Sequence, residues 1–134
     1  MKLTVRNNRT STRAINSFQF KNGFNTRIRQ TGKIEAGSSV SVEISKDLNI
    51  AVMLRIEFEG DRVVYFEIYL AGIFFHIPKP QSLEFDVAHE NLTDNLYKTP
   101  FRNLIINGAL LYQGPNIVSD VEQITWEQFP PRGK

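Results

Sequence analysis

Cysteine is absent from the chain, and long apolar runs are missing as well. Without cysteine among its 134 residues, the protein can form neither a disulfide bond nor a thiolate metal site, which is compatible with a reducing compartment. No apolar segment approaches the roughly 20 residues that a membrane-spanning helix needs. The apolar run at the N-terminus ends too early for a signal peptide. The sequence therefore predicts a cytosolic, soluble protein of one domain, spanning residues 1–134.

Acidic residues are missing from the first 34 positions. That segment holds eight basic residues and no acid, whereas the remaining hundred residues hold eight bases and fourteen acids, a balance of −6. The eight bases are Lys2, Arg6, Arg9, Arg13, Lys21, Arg27, Arg29 and Lys33. Such polarity indicates an acidic partner for the first third, attraction between unlike faces of two protomers, or simply a solvated basic face.

Recognisable catalytic motifs are also missing. The sequence has no phosphate-binding loop, dinucleotide-binding glycine pattern, zinc-protease motif or nucleophile elbow. Asp86, His89 and Glu90 could meet on one helical turn as metal ligands, but the same composition is typical of an ordinary surface. His76 lies between Phe75 and Ile77, as a hydrogen-bonded core histidine would. We expect no enzyme activity, no metal and no cofactor.

Alternating apolar residues predict strands in four regions. The first is a split strand, with Leu3 and Val5 before a polar break and residues 14–20 after it. The second covers residues 40–44, and the third, with the cleanest alternation, covers residues 50–58. Residues 59–62 predict a hairpin into the fourth strand. Residues 18–38 include an irregular part that we interpret as a long crossover, and residues 83–95 are expected to cover a sheet edge.

The fourth strand, within residues 63–77, is apolar on both faces. One face carries Val64, Phe66 and Ile68, and the opposite face carries only one charged residue, Glu67. A sheet that is apolar on both sides must be covered twice. In a short chain with one recognisable helix, the second cover is expected from another copy of the protein or from a ligand.

That helix is predicted at residues 100–113. Pro100 suits its first turn, and Gly114-Pro115 ends it. Its polar stripe is narrow, so both sides need cover. We predict an oligomer interface on one side, formed by Leu104, Ile105, Gly108 and Tyr112. The predicted fold class is α+β, a four-stranded, mostly antiparallel sheet with one main helix packed on one face, assembling through sheet edges and helices.

Several segments together resemble the SecB-type protein-export chaperones. Glu67 is followed by Gly72-Ile73-Phe74, then by an arginine-bearing apolar segment, by Gly114-Pro115, and by an aromatic-acidic segment at residues 126–129. The order of a split strand, a long crossover and a strand meander also agrees. The resemblance covers most of the chain, although few of its positions are specific.

The resemblance implies an ATP-independent holdase that is assembled as a homo-oligomer, a dimer or a dimer of dimers. Unfolded polypeptide clients would bind in apolar grooves lined partly by the crossover. By analogy, the client-binding residues are Phe18, Phe20, Phe24 and Ile28, for which plain core or edge cover is the alternative. The translocase contact of that family would correspond to Tyr65 and Glu67.

The chain also departs from that family. Its last helix is replaced by a truncated tail, residues 126–134, and the acids that meet the SecA motor are replaced by Ile15 and Gln19. These differences argue against SecA as a partner and favour a narrower client, such as the labile antitoxin of a toxin–antitoxin pair. The competing hypotheses are a basic nucleic-acid-binding module, with Arg27 and Arg29 near Phe24, and a structural subunit of a larger particle.

Overall fold

The computed structural model describes residues 1–23, 26–45, 47–49, 51–60, 62–69, 79–89, 101–113 and 119–120. These residues form ten strands in chain order. They are β1 (Lys2–Asn7), β2 (Ile15–Asn22), β3 (Thr26–Ile34), β4 (Ser39–Glu43), β5 (Ala51–Phe58), β6 (Arg62–Tyr69), β7 (Ser82–Val87), β8 (Phe101–Ile106), β9 (Ala109–Gln113) and β10 (Ser119–Asp120).

The strands form two five-stranded sheets. Sheet A has the order β4-β1-β7-β8-β9, and sheet B has the order β10-β6-β5-β2-β3. All pairs in sheet B are antiparallel. In sheet A, β1 and β7 are parallel neighbours, and between them the chain visits sheet B twice, as β2–β3 and as β5–β6, with β4 of sheet A in between. Because β1 and β7 are about 80 residues apart in the sequence, their pairing is a product of tertiary folding.

The core lies between the two sheets. Along β1, Leu3 and Val5 are buried in the apolar cluster, whereas Arg6 is half-buried on the outer face. Along β5, the alternate residues from Val52 to Phe58 enter the same cluster. This period of two is what the pleat of a strand imposes when one face is buried. The two sheets therefore pack face to face as a β-sandwich.

The predicted α+β fold class is wrong. The described residues contain no helix, and the sheet is not single but double, with one parallel pair among antiparallel ones. Within the same described ranges, no helix is long and apolar enough to cross a membrane. The physical reason for the error is that a second sheet, rather than a helix, covers the inner face of the first sheet.

The main helix predicted at residues 100–113 is replaced by a hairpin. Strands β8 and β9 pair with Ile106 opposite Ala109, and Asn107 and Gly108 form the two-residue turn with φ of 53° and 77°. Left-handed dihedrals at both central residues are what a type I′ turn requires, and Asn-Gly is its preferred sequence. The side-chain Oδ1 of Asn107 accepts hydrogen bonds from the backbone nitrogens of Gln81 and Ser82, which fastens the turn to the start of β7.

The crossover predicted at residues 18–38 is also wrong. It is occupied by the second half of β2 and by all of β3, which pair antiparallel. Likewise, the segment expected to cover a sheet edge contains β7, which lies at the centre of sheet A. Residues 126–134, which were predicted to be a truncated tail, lie outside the described residues. The predicted strands at residues 40–44 and 50–58, and the hairpin at 59–62, are confirmed by β4, β5 and the β5–β6 pair.

The division of β6 into two faces is confirmed by its register with β5. Val64, Phe66 and Ile68 are paired with Ile56, Leu54 and Val52, three residues of the core cluster. The alternate positions, Tyr65 and Glu67, are paired in the same register with Arg55 and Met53. Next to Glu67 in register is Met53, which is fully buried within the single chain. The second face is thus already covered at that point, without another copy of the protein.

Candidate functional site

Strand β3 is the outermost strand of sheet B on one side, and much of it is exposed. It pairs with β2 alone among the described strands, and the register runs without interruption from Thr26 to Thr31. Arg29 and the three residues Thr31 to Lys33 are exposed. An edge strand presents a row of main-chain donors and acceptors to which another extended segment can bind. We call this the β3 edge, defined by residues 26–34.

The two faces of the β3 edge differ in chemistry. On the inner face, Ile28 stands opposite Phe20, is half-buried and packs against the core cluster. On the outer face, Arg29 stands opposite Gln19, and the register places Arg27 opposite Lys21. The edge therefore presents one large apolar side chain, Ile28, on its inner face and one exposed cation, Arg29, on its outer face. The register shift between Ile15 and Ser17 ends the regular pairing beyond Thr31, close to Gly32 with φ of 124°.

The basic residues of the first third do not gather on one surface. Arg6 lies on the outer face of sheet A, where its Nε is 3.6 Å from a carboxylate oxygen of Glu84. Lys33 lies on sheet B, and its Nζ is 3.3 Å from Glu59 and 3.5 Å from Glu35. Acidic residues from the rest of the chain therefore pair with bases of the first third: Glu84 with Arg6, and Glu35 and Glu59 with Lys33. Among the ion pairs found between described residues, none involves Arg29.

The end of β3 borders an open polar cleft. The cleft has a volume of about 290 Å³ and is lined by Ser11, Thr12, Arg13, Ala14, Glu35, Ala36 and Glu59. The Arg13 guanidinium donates from Nη1 to the backbone oxygen of Glu59 at 2.8 Å. The pKa of Lys33 is raised above its ordinary value of 10.5. The largest cause is a side-chain hydrogen bond with Glu59, and the second is the negative charge of Glu35. The charged groups around the cleft therefore bind one another and hold the turns of three connections together.

Asp86 and His89 each form hydrogen bonds within the fold, and they do so with different residues. The Asp86 carboxylate is only 5% exposed and accepts hydrogen bonds from Asn103 at 2.7 Å and from Asn8 at 3.1 Å. His89 contacts Thr12 through Nδ1 at 2.9 Å, and its ring forms an edge-to-face pair with Phe58, with ring centroids 5.3 Å apart. Within the described ranges no group of three potential metal ligands occurs. Glu90 and His76 lie outside the described residues.

The residues predicted to bind clients have different locations. Phe18 and Phe20 are 0% exposed and belong to the core cluster, so their rings cannot contact a client in this fold. Ile28 lies on the β3 edge, half-buried. Phe24 lies outside the described residues. Of the four, Ile28 alone is described at an open position, although it was chosen as part of a crossover rather than of an edge strand.

The residues predicted to form an oligomer interface lie in the β8–β9 hairpin. Leu104 is buried in the core, Ile105 is half-buried on the outer face of sheet A, and Gly108 is exposed in the turn. Tyr112 pairs with Leu104 in the backbone register. These residues therefore do not share the single helical surface on which the interface was based. Tyr65 and Glu67, the predicted translocase contact, stand opposite Arg55 and Met53 on the outer face of sheet B.

Sequence reasoning missed the β3 edge. The signals were present, because Asn22-Gly23 is a turn sequence and residues 26–31 alternate around Ile28. With two arginines and only one large apolar residue, however, the segment lacked the apolar alternation of a half-buried strand. Comparisons of the chain with models of protein families, with curated proteins and with solved structures found no match.

Proposed function

We propose that this chain is a non-catalytic polypeptide-binding protein that holds extended segments of other polypeptides without ATP. The observation that carries the proposal is the β3 edge, a nine-residue strand that is exposed from Thr31 to Lys33 and at Arg29. A polypeptide that adds to a sheet edge is bound chiefly through its main chain. Such binding tolerates many sequences, which is the property that a holdase needs.

The proposal keeps the predicted clients, unfolded or labile polypeptides such as an antitoxin, and changes where they bind. An apolar groove built from Phe18 and Phe20 is excluded, because both rings are in the core. Binding at the β3 edge instead requires a client segment without stable structure, since a folded protein seldom offers an unpaired strand. The proposal retains the cytosolic location expected from the sequence, and it does not include SecA as a partner.

The test is an aggregation assay with a chemically denatured client, without ATP, at equimolar chain. We expect the chain to suppress light scattering. Amide hydrogen exchange should slow in residues 29–33 on client binding, but not in β4, which is the corresponding outer strand of sheet A. A folded chain that leaves aggregation unchanged would remove the proposal. Slower amide exchange in β4 rather than in β3 would show that clients bind at the edge of sheet A, which would contradict the β3 edge as the site.

Self-association through the same edge is the second candidate. Edge strands pair with other copies when they are long and unprotected, and two copies related by a two-fold axis could join their β3 strands antiparallel. The exposed cation on the outer face opposes such pairing, because Arg29 of one copy would approach Arg29 of the other. Light scattering in high salt, which screens that repulsion, would reveal a dimer that is absent in low salt.

The nucleic-acid-binding alternative receives less support from the geometry. Arg6 and Arg29 lie on outer faces that point away from each other, and Arg6 and Lys33 have acidic neighbours. A continuous basic groove with stacking aromatics would be needed to follow a phosphate backbone. Binding of a mixed oligonucleotide that weakens steeply with salt would restore this alternative.

A further inference from the structure

We infer that the β3 edge selects extended segments in which acidic and apolar residues alternate. This inference rests on the proposed polypeptide binding and adds the chemical class of the ligand. It follows from two adjacent residues of one exposed strand: Arg29, exposed on the outer face, and Ile28, half-buried on the inner face.

The outer face sets the charge of the ligand. A segment added beyond β3 places every second side chain beside the outer-face residues of β3, with directly opposed Cβ atoms about 4.5–5.5 Å apart. At that distance a carboxylate of the ligand can pair with Arg29, which has no ion-pair partner among the described residues. A lysine or arginine of the ligand would instead face a like charge. Arg29 therefore disfavours the addition of a basic strand and favours the addition of an acidic one.

The inner face sets the intervening residues. The side chains of the added segment that alternate with its acids point toward the side of sheet B that faces sheet A. There they meet Ile28, which packs against the core cluster but is itself only half-buried. An apolar ligand residue beside Ile28 would extend the apolar cluster beyond β3. It would also remove more of the Ile28 side chain from water. A polar residue there would lose this contribution.

The length of the ligand follows from the register. Regular pairing of β3 with β2 extends from Thr26 to Thr31 and is interrupted near Gly32. A ligand strand thus finds about six regular positions, a length of roughly 20 Å at the rise of an extended chain. Beyond them Lys33 is already held by Glu59 and Glu35, so it is not expected to take a ligand carboxylate.

The test measures fluorescence anisotropy with two labelled peptides of eight residues, one with alternating glutamate and valine and one with alternating lysine and valine. We expect the glutamate peptide to bind at least about tenfold more tightly at low salt, and the difference to shrink as salt screens the charges. In the Arg29→Glu variant the preference should be lost or reversed. The matched control is Arg9→Glu, which makes the same change of charge at an exposed residue of the β1–β2 loop.

Each other outcome contradicts the inference in a distinguishable way. Equal binding of both peptides would overturn the acidic preference while leaving polypeptide binding at the edge. Binding of neither peptide by a chain that still suppresses client aggregation would overturn this site and leave the proposed function standing. Equal losses in Arg29→Glu and Arg9→Glu would show that only net charge matters. If the chain neither binds peptides nor suppresses aggregation, the proposed function itself fails.

Discussion

Phe20 and Phe85 meet across the interior of the sandwich, with ring centroids 6.2 Å apart and planes inclined by 54°. Phe20 belongs to β2 of sheet B, and Phe85 belongs to β7 of sheet A. This contact joins the two sheets directly, and tilted aromatic pairs of this spacing stabilise a core beyond the area that they bury. The residue that the sequence suggested as a client contact is therefore one of the residues that hold the fold together.

Replacing either ring should destabilise the protein strongly. We expect Phe20→Ala and Phe85→Ala each to lower the free energy of unfolding by about 3–5 kcal/mol, because both side chains are fully buried. In urea denaturation the double variant should lose less than the sum of the two, with a coupling of about 0.5–1.5 kcal/mol. A Phe20→Ala variant of wild-type stability with reduced client binding would contradict this assignment and return Phe20 to a surface.

The β8–β9 hairpin predicts a large loss of stability on truncation of one residue and a small loss on truncation of its neighbour. Leu104 is buried between the sheets, so Leu104→Ala should cost about 2–5 kcal/mol of stability. Ile105 is half-buried on the outer face, so Ile105→Ala should cost much less. Thermal denaturation of both variants measures the difference. Similar costs, or dissociation of an oligomer without loss of stability, would instead support the helical interface that the sequence suggested.

The turn of the same hairpin depends on the backbone at Gly108. Its φ of 77° is unfavourable for a residue with a Cβ, although no atom would block that Cβ within 4 Å. Gly108→Ala should therefore cost about 1–2 kcal/mol through backbone conformation alone. Gly108→Asn is the matched control and should cost less, since asparagine tolerates this region. Equal stabilities of the two variants in chemical denaturation would argue against a type I′ turn.

Asp86 fastens the β1–β2 loop to sheet A. Its carboxylate accepts from Asn103 on the neighbouring strand and from Asn8 at the end of β1. We expect Asp86→Ala to cost about 1–3 kcal/mol, because two amide groups lose their acceptor in a largely buried place. A double-mutant cycle with Asn103→Ala isolates their hydrogen bond. A coupling energy of zero in that cycle would show that water replaces the Asn103–Asp86 hydrogen bond without loss of stability.

Lys33 predicts a pH dependence at the alkaline end. Its pKa is raised in the folded protein by Glu59 and Glu35, so its stabilising contribution is complete at a pH below the unfolded-state pKa of 10.5. The contribution is lost as the pH rises through the higher folded-state pKa. Denaturation midpoints measured from pH 8 to well above pH 10.5 should therefore fall less in Lys33→Gln than in the wild type, and this difference should disappear in high salt. Lys2→Gln is the control; if it has the same effect, the ion pairs with Glu59 and Glu35 are not the cause.

Local alternation was sufficient to predict several strands. A period of two in apolar residues predicts strands at Val40 to Ile44 and at Val52 to Phe58, because successive side chains of a half-buried strand face the core and water in turn. The Glu59-Gly60 turn was predicted for the same local reason, and Gly60 has the positive φ of 82° that such a turn requires. The two faces of β6 were also correct, since register follows the buried face.

Residues 101–112 show where this reasoning failed. An almost continuous apolar run was read as a helix covered on both sides, although Asn107-Gly108 and the branched side chains Ile105 and Ile106 favour a hairpin. Apolar content alone cannot distinguish a buried helix from two buried strands. The turn sequence could have decided the matter, because its preference is local.

By itself, the amino-acid sequence determined the period-two strands β4 and β5 and the turn at Glu59-Gly60, because these features depend on single residues and their immediate neighbours. Only the tertiary structure decided that β1 pairs with β7, that Phe20 meets Phe85, and that β3 is left at the outside of sheet B. Pairing between distant strands depends on which combination buries the most apolar surface while satisfying the main chain, and that choice is made by the whole chain at once.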